Sequence, residues 1–216
     1  MSRLNDISLR NVVPDVFRDS ELHSRIWSCD ITFKRGGNYL IQAESGTGKS
    51  SLCSFIYGNR HDYAGHILFD GKDIRKFGID RWCQIRTNSL ALLPQEMRLF
   101  PELTAYENIA IKNRLTCFKT DDEISAMLDL LEIADKADIP ARFLSIGQQQ
   151  RVAVVRTLCQ PMDFLLLDEP VSHLDRRNNR IVAELIQNET SKQGAAIIAT
   201  SVGYDIMLDF NCQLTL

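Results

Sequence analysis

The segment Ala43-Glu44-Ser45-Gly46-Thr47-Gly48-Lys49-Ser50 constrains this chain more than any other. A short apolar run at 39–42 precedes it, and a helical pattern at 49–57 follows it. A strand, a glycine-rich turn, Lys-Ser and a helix start form the context that a nucleotide phosphate site needs. Backbone N–H groups of such a loop point inward and form an anion nest. The helix start adds the positive end of its dipole. Lys49 is placed to reach the β- and γ-phosphates, and the Ser50 hydroxyl to ligate Mg²⁺. The candidate phosphate contacts are therefore Ala43, Glu44, Ser45, Gly46, Thr47, Gly48, Lys49, Ser50 and the adjoining Ser51. The competing reading is a plain helix start after a glycine turn. Ala43 stands where G-x-x-x-x-G-K-S has its first glycine; if φ must be positive there, alanine is strained by roughly 1–2 kcal/mol. Gly46, Gly48 and Lys49 are intact, so phosphate binding is expected to survive.

A second motif, Phe164-Leu165-Leu166-Leu167-Asp168-Glu169-Pro170, reads as a buried strand ending in two carboxylates. An ion bridging the β- and γ-phosphates needs hard oxygen ligands, and Asp168 supplies one. Glu169 is the candidate base that orients and deprotonates the attacking water. Further apolar runs at 66–69, 90–93 and 195–200 also read as strands, and 123–131, 148–158 and 176–190 as helices. The strands lack polar alternation, which predicts a mostly parallel α/β sheet covered on both faces. The stretch 100–160 is helical with no strand candidate, so a helical subdomain is expected within a core formed by 1–99 and 161–216.

Composition excludes several classes. The longest unbroken apolar run is five residues, at 195–199, against the roughly 20 of a membrane-spanning helix. The opening residues MSRLNDISLR carry no secretory pattern. The formal net charge of −3 does not advertise a nucleic-acid partner. The six cysteines include no C-x-x-C pair, so they read as reduced thiols used for packing. The four histidines form no H-x-x-x-H pair.

Leu144-Ser145-Ile146-Gly147-Gln148-Gln149-Gln150-Arg151 is similar to the L-S-G-G-Q signature of the ATP-binding cassette (ABC) family, and Gln148 lies twenty residues before Asp168. With the phosphate loop and Asp168-Glu169-Pro170, nearly the whole chain resembles that family. Leu93-Pro94-Gln95 resembles its Q-loop, and Leu99-Phe100-Pro101-Glu102-Leu103-Thr104-Ala105-Tyr106-Glu107-Asn108-Ile109 the segment that follows. His66-Ile67-Leu68-Phe69-Asp70-Gly71-Lys72-Asp73-Ile74 resembles its strand and turn after the phosphate-loop helix. Ser172-His173-Leu174-Asp175 resembles the D-loop, which crosses a dimer interface. Phe17, thirty-two residues before Lys49, stands where the family carries an adenine-stacking aromatic; a core or surface phenylalanine is the alternative.

The resemblance implies a P-loop NTPase fold with an inserted helical subdomain and an N-terminal antiparallel β portion. It implies ATP and Mg²⁺, with Ser50, Gln95 and Asp168 around the ion and Glu169, Gln95 and Ser201 at the reacting end. It implies a homodimer, or a pseudo-dimer with another cassette, closed over two ATP molecules. Ser145, Gly147 and Gln148 would then complete the opposite site. Transmembrane permease subunits are the implied partners and the cytoplasmic face of the membrane the implied location; no nucleic acid is expected. Ile146 replaces the first signature glycine, and Ser201 stands where the family has its switch histidine. A serine hydroxyl is shorter and carries no charge, which predicts weakened hydrolysis with ATP binding kept. The alternative is a degenerate cassette that binds ATP as a regulatory or structural module with little turnover.

Overall fold

The computed structural model describes residues 3–18, 24–44 and 46–216. The chain opens with β1 (Asp6–Pro14), β2 (Asp30–Lys34) and β3 (Asn38–Gln42), followed by the glycine loop and α1 (Lys49–Ile56). Then come β4 (Tyr63–Phe69), β5 (Lys72–Asp73), α2 (Ile79–Asn88) and β6 (Leu90–Leu93). Next are α3 (Ala105–Asn113), α4 (Asp121–Leu130) and α5 (Ile146–Leu158). The last elements are β7 (Phe164–Asp168), α6 (Arg176–Gln193), β8 (Ala196–Ser201) and β9 (Cys212–Thr215).

Two sheets form. The order β6-β7-β8-β3-β9 makes a five-stranded sheet whose pairings are all parallel. The order β2-β1-β4-β5 makes an antiparallel one. Successive side chains of a strand point to opposite faces, and here both faces are buried. Phe164, Leu166, Ala196, Ile198 and Ile41 face a core shared with the antiparallel sheet and with Leu52, Phe55 and Ile56 of α1. Leu165, Leu167, Ile197, Ala199 and Leu40 face a second core, built with α3, α4, α5 and α6. That is why these strands read as unbroken apolar runs.

The run at 66–69 departs from the expectation of a buried parallel strand. It ends β4, which pairs antiparallel with β1. In β4, Ile67 and Phe69 are buried while His66 is exposed, the one-sided pattern of a sheet with a solvent face. Between β6 and β7 the described elements are helical, apart from one isolated bridge, Thr104–Pro140. Reciprocal capping boxes start α3 (Thr104, Glu107), α4 (Thr120, Glu123) and α5 (Ser145, Gln148). The parallel sheet places the ends of β3, β6, β7 and β8 side by side, so residues 43–44 and 46–50, Gln95, Asp168 and Ser201 all leave the same edge.

Candidate nucleotide-binding site

The loop after β3 turns on two glycines with left-handed backbones, Gly46 at φ 86° and Gly48 at φ 100°. A Cβ on Gly48 would also lie 3.2 Å from the rings of Phe17 and Trp27. Trp27 is 2% exposed and donates its indole N–H to the Thr47 carbonyl at 3.1 Å. The Thr47 hydroxyl donates to the Glu44 carbonyl at 2.8 Å. No side chain caps α1 and no acid sits in its first turn, which leaves its N–H groups for an anion. The buried Lys49 ammonium donates to the carbonyls of Glu44 (2.8 Å) and Ala43 (3.4 Å) and stands 3.7 Å from Glu169 Oε1. Ala43 does not take a positive φ, so the conditional strain does not arise. Its N–H donates to the Ser201 carbonyl at 3.1 Å, holding the loop against the tip of β8. Ser50 is exposed, and the Ser51 hydroxyl accepts from Arg60 at 2.9 Å. Ser45 lies outside the described residues.

The two carboxylates share a buried support, Thr200. Its hydroxyl donates to Asp168 Oδ1 at 2.8 Å and accepts the Glu169 N–H at 3.3 Å. Sequence reasoning misses this residue; the signal was the strand register, which sets Asp168 opposite Thr200. Trp27 was missed because indole beneath a glycine loop leaves no local pattern. Glu169 itself takes φ 50°, a conformation that costs a non-glycine residue roughly 1–2 kcal/mol. Gln95 donates its amide N–H to Glu169 Oε2 at 3.1 Å, leaving its own amide oxygen free. A cavity of about 130 Å³ is lined by Ser50, Cys53, Gln95 and Asp168, among others. Burial pushes the Cys53 thiol well up, and the neighbouring Asp168 adds to this, so Cys53 stays a neutral packing group.

The oxygens of Ser50, Gln95 and Asp168 around one small cavity suit a hard cation. Among the described residues, no cluster of three His, Cys, Asp or Glu side chains could hold an ion alone. The donor set therefore fits Mg²⁺ that arrives with phosphate oxygens.

The remaining candidates gather at the start of α5. Ser145 Oγ accepts the Gln148 N–H at 3.3 Å, and Gln148 Oε1 accepts the Ser145 N–H at 2.9 Å. Gly147 packs against the next loop so closely that a Cβ would sit 3.2 Å from the His173 carbonyl oxygen. Gln150, also missed in the sequence, accepts the His173 N–H at 3.2 Å and reaches the Glu169 carbonyl at 3.5 Å. Ile146 is 52% exposed and Ser201 3%. Ser201 Oγ accepts the Gly203 N–H at 3.1 Å.

The model of the family described as ABC transporter matches residues 27–172. The uncharacterized ABC transporter ATP-binding protein YclH of Bacillus subtilis (strain 168) is 31% identical over 192 residues, covering 86% of this chain and 84% of its own. The lipoprotein-releasing system ATP-binding protein LolD of Shewanella frigidimarina is 29% identical over 208 residues, 93% of this chain and 85% of its own. A bacterial Atm1-family ABC exporter with ATP bound superposes at TM-score 0.81 and 25% identity, over all of this chain and 37% of that one. A dimeric ATP-binding cassette bound to ADP and Pi superposes at TM-score 0.76 and 24% identity, over 93% of this chain and 88% of that one. The matched segment runs from Trp27 beneath the phosphate loop to the residues just past Asp168 and Glu169, and with it this chain belongs to the ABC transporter family, among its ATPase cassettes.

Proposed function

We propose that this chain hydrolyses ATP as the nucleotide-binding subunit of a transporter whose membrane-spanning subunits are separate chains. The observation that supports it most directly is the convergence of Lys49, Gln95, Asp168 and Glu169 on one edge of the parallel sheet. Lys49 exchanges its contacts to the Ala43 and Glu44 carbonyls for phosphate oxygens. Glu169 takes a proton from water as the water oxygen bonds to the γ-phosphorus. The bond from that phosphorus to the β-phosphate oxygen breaks, and its electron pair leaves with ADP. Mg²⁺, when held by Ser50, Asp168 and Gln95, neutralises charge developing on the phosphates. Phe17, packed on Gly48, borders the loop where an adenine would stack.

Two cassettes, two copies of this chain or one with a related cassette, close head to tail over two ATP molecules, so the start of α5 in one meets the phosphate loop of the other. The helical stretch 100–160 serves as the subdomain that carries this surface. A groove of about 310 Å³ beside Gln95 receives the permease; it is lined in part by Pro94, Arg98, Phe100, Ile111, Lys112, Leu115 and Arg156. Phe100, Ile111 and Leu115 are 54%, 40% and 63% exposed, apolar area suited to a protein contact. Among the described residues no helix is long and apolar enough to cross a membrane, which suits a peripheral subunit on the cytoplasmic face. Relatives named for lipoprotein release and for Fe(3+) import show that similar cassettes serve different cargoes.

The inward-turned Ser201 hydroxyl and the side chain at Ile146 favour a second reading, a cassette that closes on ATP and barely turns over. Phosphate release by wild type and Glu169→Gln separates the two. We expect wild type to exceed Glu169→Gln by about a hundredfold, the usual scale for a general base. Equal rates in both would establish the binding module.

A further inference from the structure

The reacting end of this site lacks a titratable donor where the family resemblance puts one. Ser201 is buried, and its oxygen is taken up by the Gly203 N–H. The histidines among the described residues are His61, His66 and His173. His66 is bound to Asp73 and Arg75 on the antiparallel sheet, and His61 lies in the turn before β4. His173 is four residues beyond Glu169 and exposed.

Its backbone is fastened to the start of α5. The N–H donates to Gln150 Oε1 at 3.2 Å, and the carbonyl oxygen closes on Gly147, where a Cβ would lie at 3.2 Å. The next residue, Leu174, is buried in the helical core. The His173 backbone is therefore tied to residues 145–150, and its exposed side chain stands beside the start of α5. The ring is oriented as well: Ser172 Oγ lies 3.0 Å from Nδ1. In the tautomer where Ser172 donates to Nδ1, Nε2 carries the proton and is the ring's donor.

We propose that His173 is a catalytic residue acting in trans, its Nε2–H donating a hydrogen bond to the γ-phosphate held by the opposing subunit. The inference rests on the dimeric ATPase reading above. The imidazole transfers no proton: the water proton goes to Glu169 of the subunit that binds the ATP, and the electron pair leaves with ADP. The donor missing at Ser201 in one subunit is thus supplied from the other.

Mixed dimers of the full chain, assembled from subunits with different affinity tags and assayed with Mg²⁺-ATP, test this directly. Removing one preorganised donor of this kind costs about a hundredfold in kcat, so His173→Ala should lose about that much. His173→Gln, which keeps an N–H donor, should recover part of it. ATP affinity, followed by Trp27 emission, should stay at the wild-type value in both. A dimer pairing Glu169→Gln with His173→Ala keeps one site with an intact Glu169 and an opposing His173, so about half the wild-type rate is expected. A dimer pairing wild type with the Glu169→Gln/His173→Ala double variant keeps no such site and should be inactive. The reverse pattern places the histidine in cis; equal rates in the two dimers, at any level, or a wild-type rate for His173→Ala, also overturn the proposal. Wild type and Glu169→Gln releasing phosphate equally would instead bring down the ATPase reading on which it rests.

Discussion

Thr200 shows how much one hydroxyl can organise. It donates to Asp168 and accepts from the backbone of Glu169, so it sets the Asp168 carboxylate and the left-handed backbone of Glu169 together. Thr200→Val keeps the shape and removes both bonds. We expect kcat to fall ten- to a hundredfold with ATP affinity nearly unchanged, because Lys49 and the loop glycines are untouched. A matching loss of ATP affinity in an equilibrium titration would show that Thr200 supports the loop instead. The loop and the acid pair were legible in the sequence because each carries chemistry in its own letters, whereas Gln95 entered through the family resemblance. Thr200, Trp27 and Gln150 were not, because their roles come from register and packing between segments far apart in the chain.

At the scale of elements, legibility followed burial. β3, β6, β7 and β8 announce themselves as apolar runs because both their faces are covered. The helix α2 buries only Ile85 and leaves Ile79 exposed, so it carries little buried apolar content to read. β1 carries a bulge between Arg10 and Val13 that breaks its alternation, and β9 is only half-buried. α3 starts at a Thr104–Glu107 capping box, yet no separate helix was read there, only a helical stretch over 100–160. The β4–β5 hairpin depends on a polar clasp. Burial alone would raise the Asp73 carboxyl, yet hydrogen bonds from Arg75 and His66 bring it down to about 2. A carboxyl whose pKa is lower folded than unfolded adds stability above its unfolded value near 4, and that stability is lost as pH falls toward 2. Asp73→Asn should therefore cost about 1–2 kcal/mol at neutral pH and flatten the acid limb between about pH 5 and 2. Urea unfolding at a series of pH values measures both; an unchanged acid limb would remove Asp73 from the account.

The parallel sheet separates two cores, one shared with the antiparallel sheet, α1 and α2, the other with α3, α4, α5 and α6. The chain's six thiols report on this arrangement. Cys83 and Cys117 are exposed, while Cys53 and Cys159 are buried. Burial pushes the Cys159 thiol up to about 12 and the Cys53 thiol well above its ordinary value. A thiol reagent at neutral pH should label Cys83 and Cys117 at once, and Cys53 and Cys159 only through global opening. ATP should slow the buried pair further, since a ligand of the folded state lowers the open population. Rapid labelling of Cys53 in the native protein, read by mass spectrometry, would contradict the packing described. Gln95 is bonded to Glu169, and the carbonyls of Met97 and Arg98, both at positive φ, are gripped by Arg156 in the wall of the groove. A body seated in that groove would press on the same short segment that steadies Glu169. Coupling through it obeys reciprocity. If a docked partner tightens ATP binding by some factor, ATP must tighten the hold on that partner by the same factor. A nucleotide titration alone would then measure the strength of a protein–protein contact.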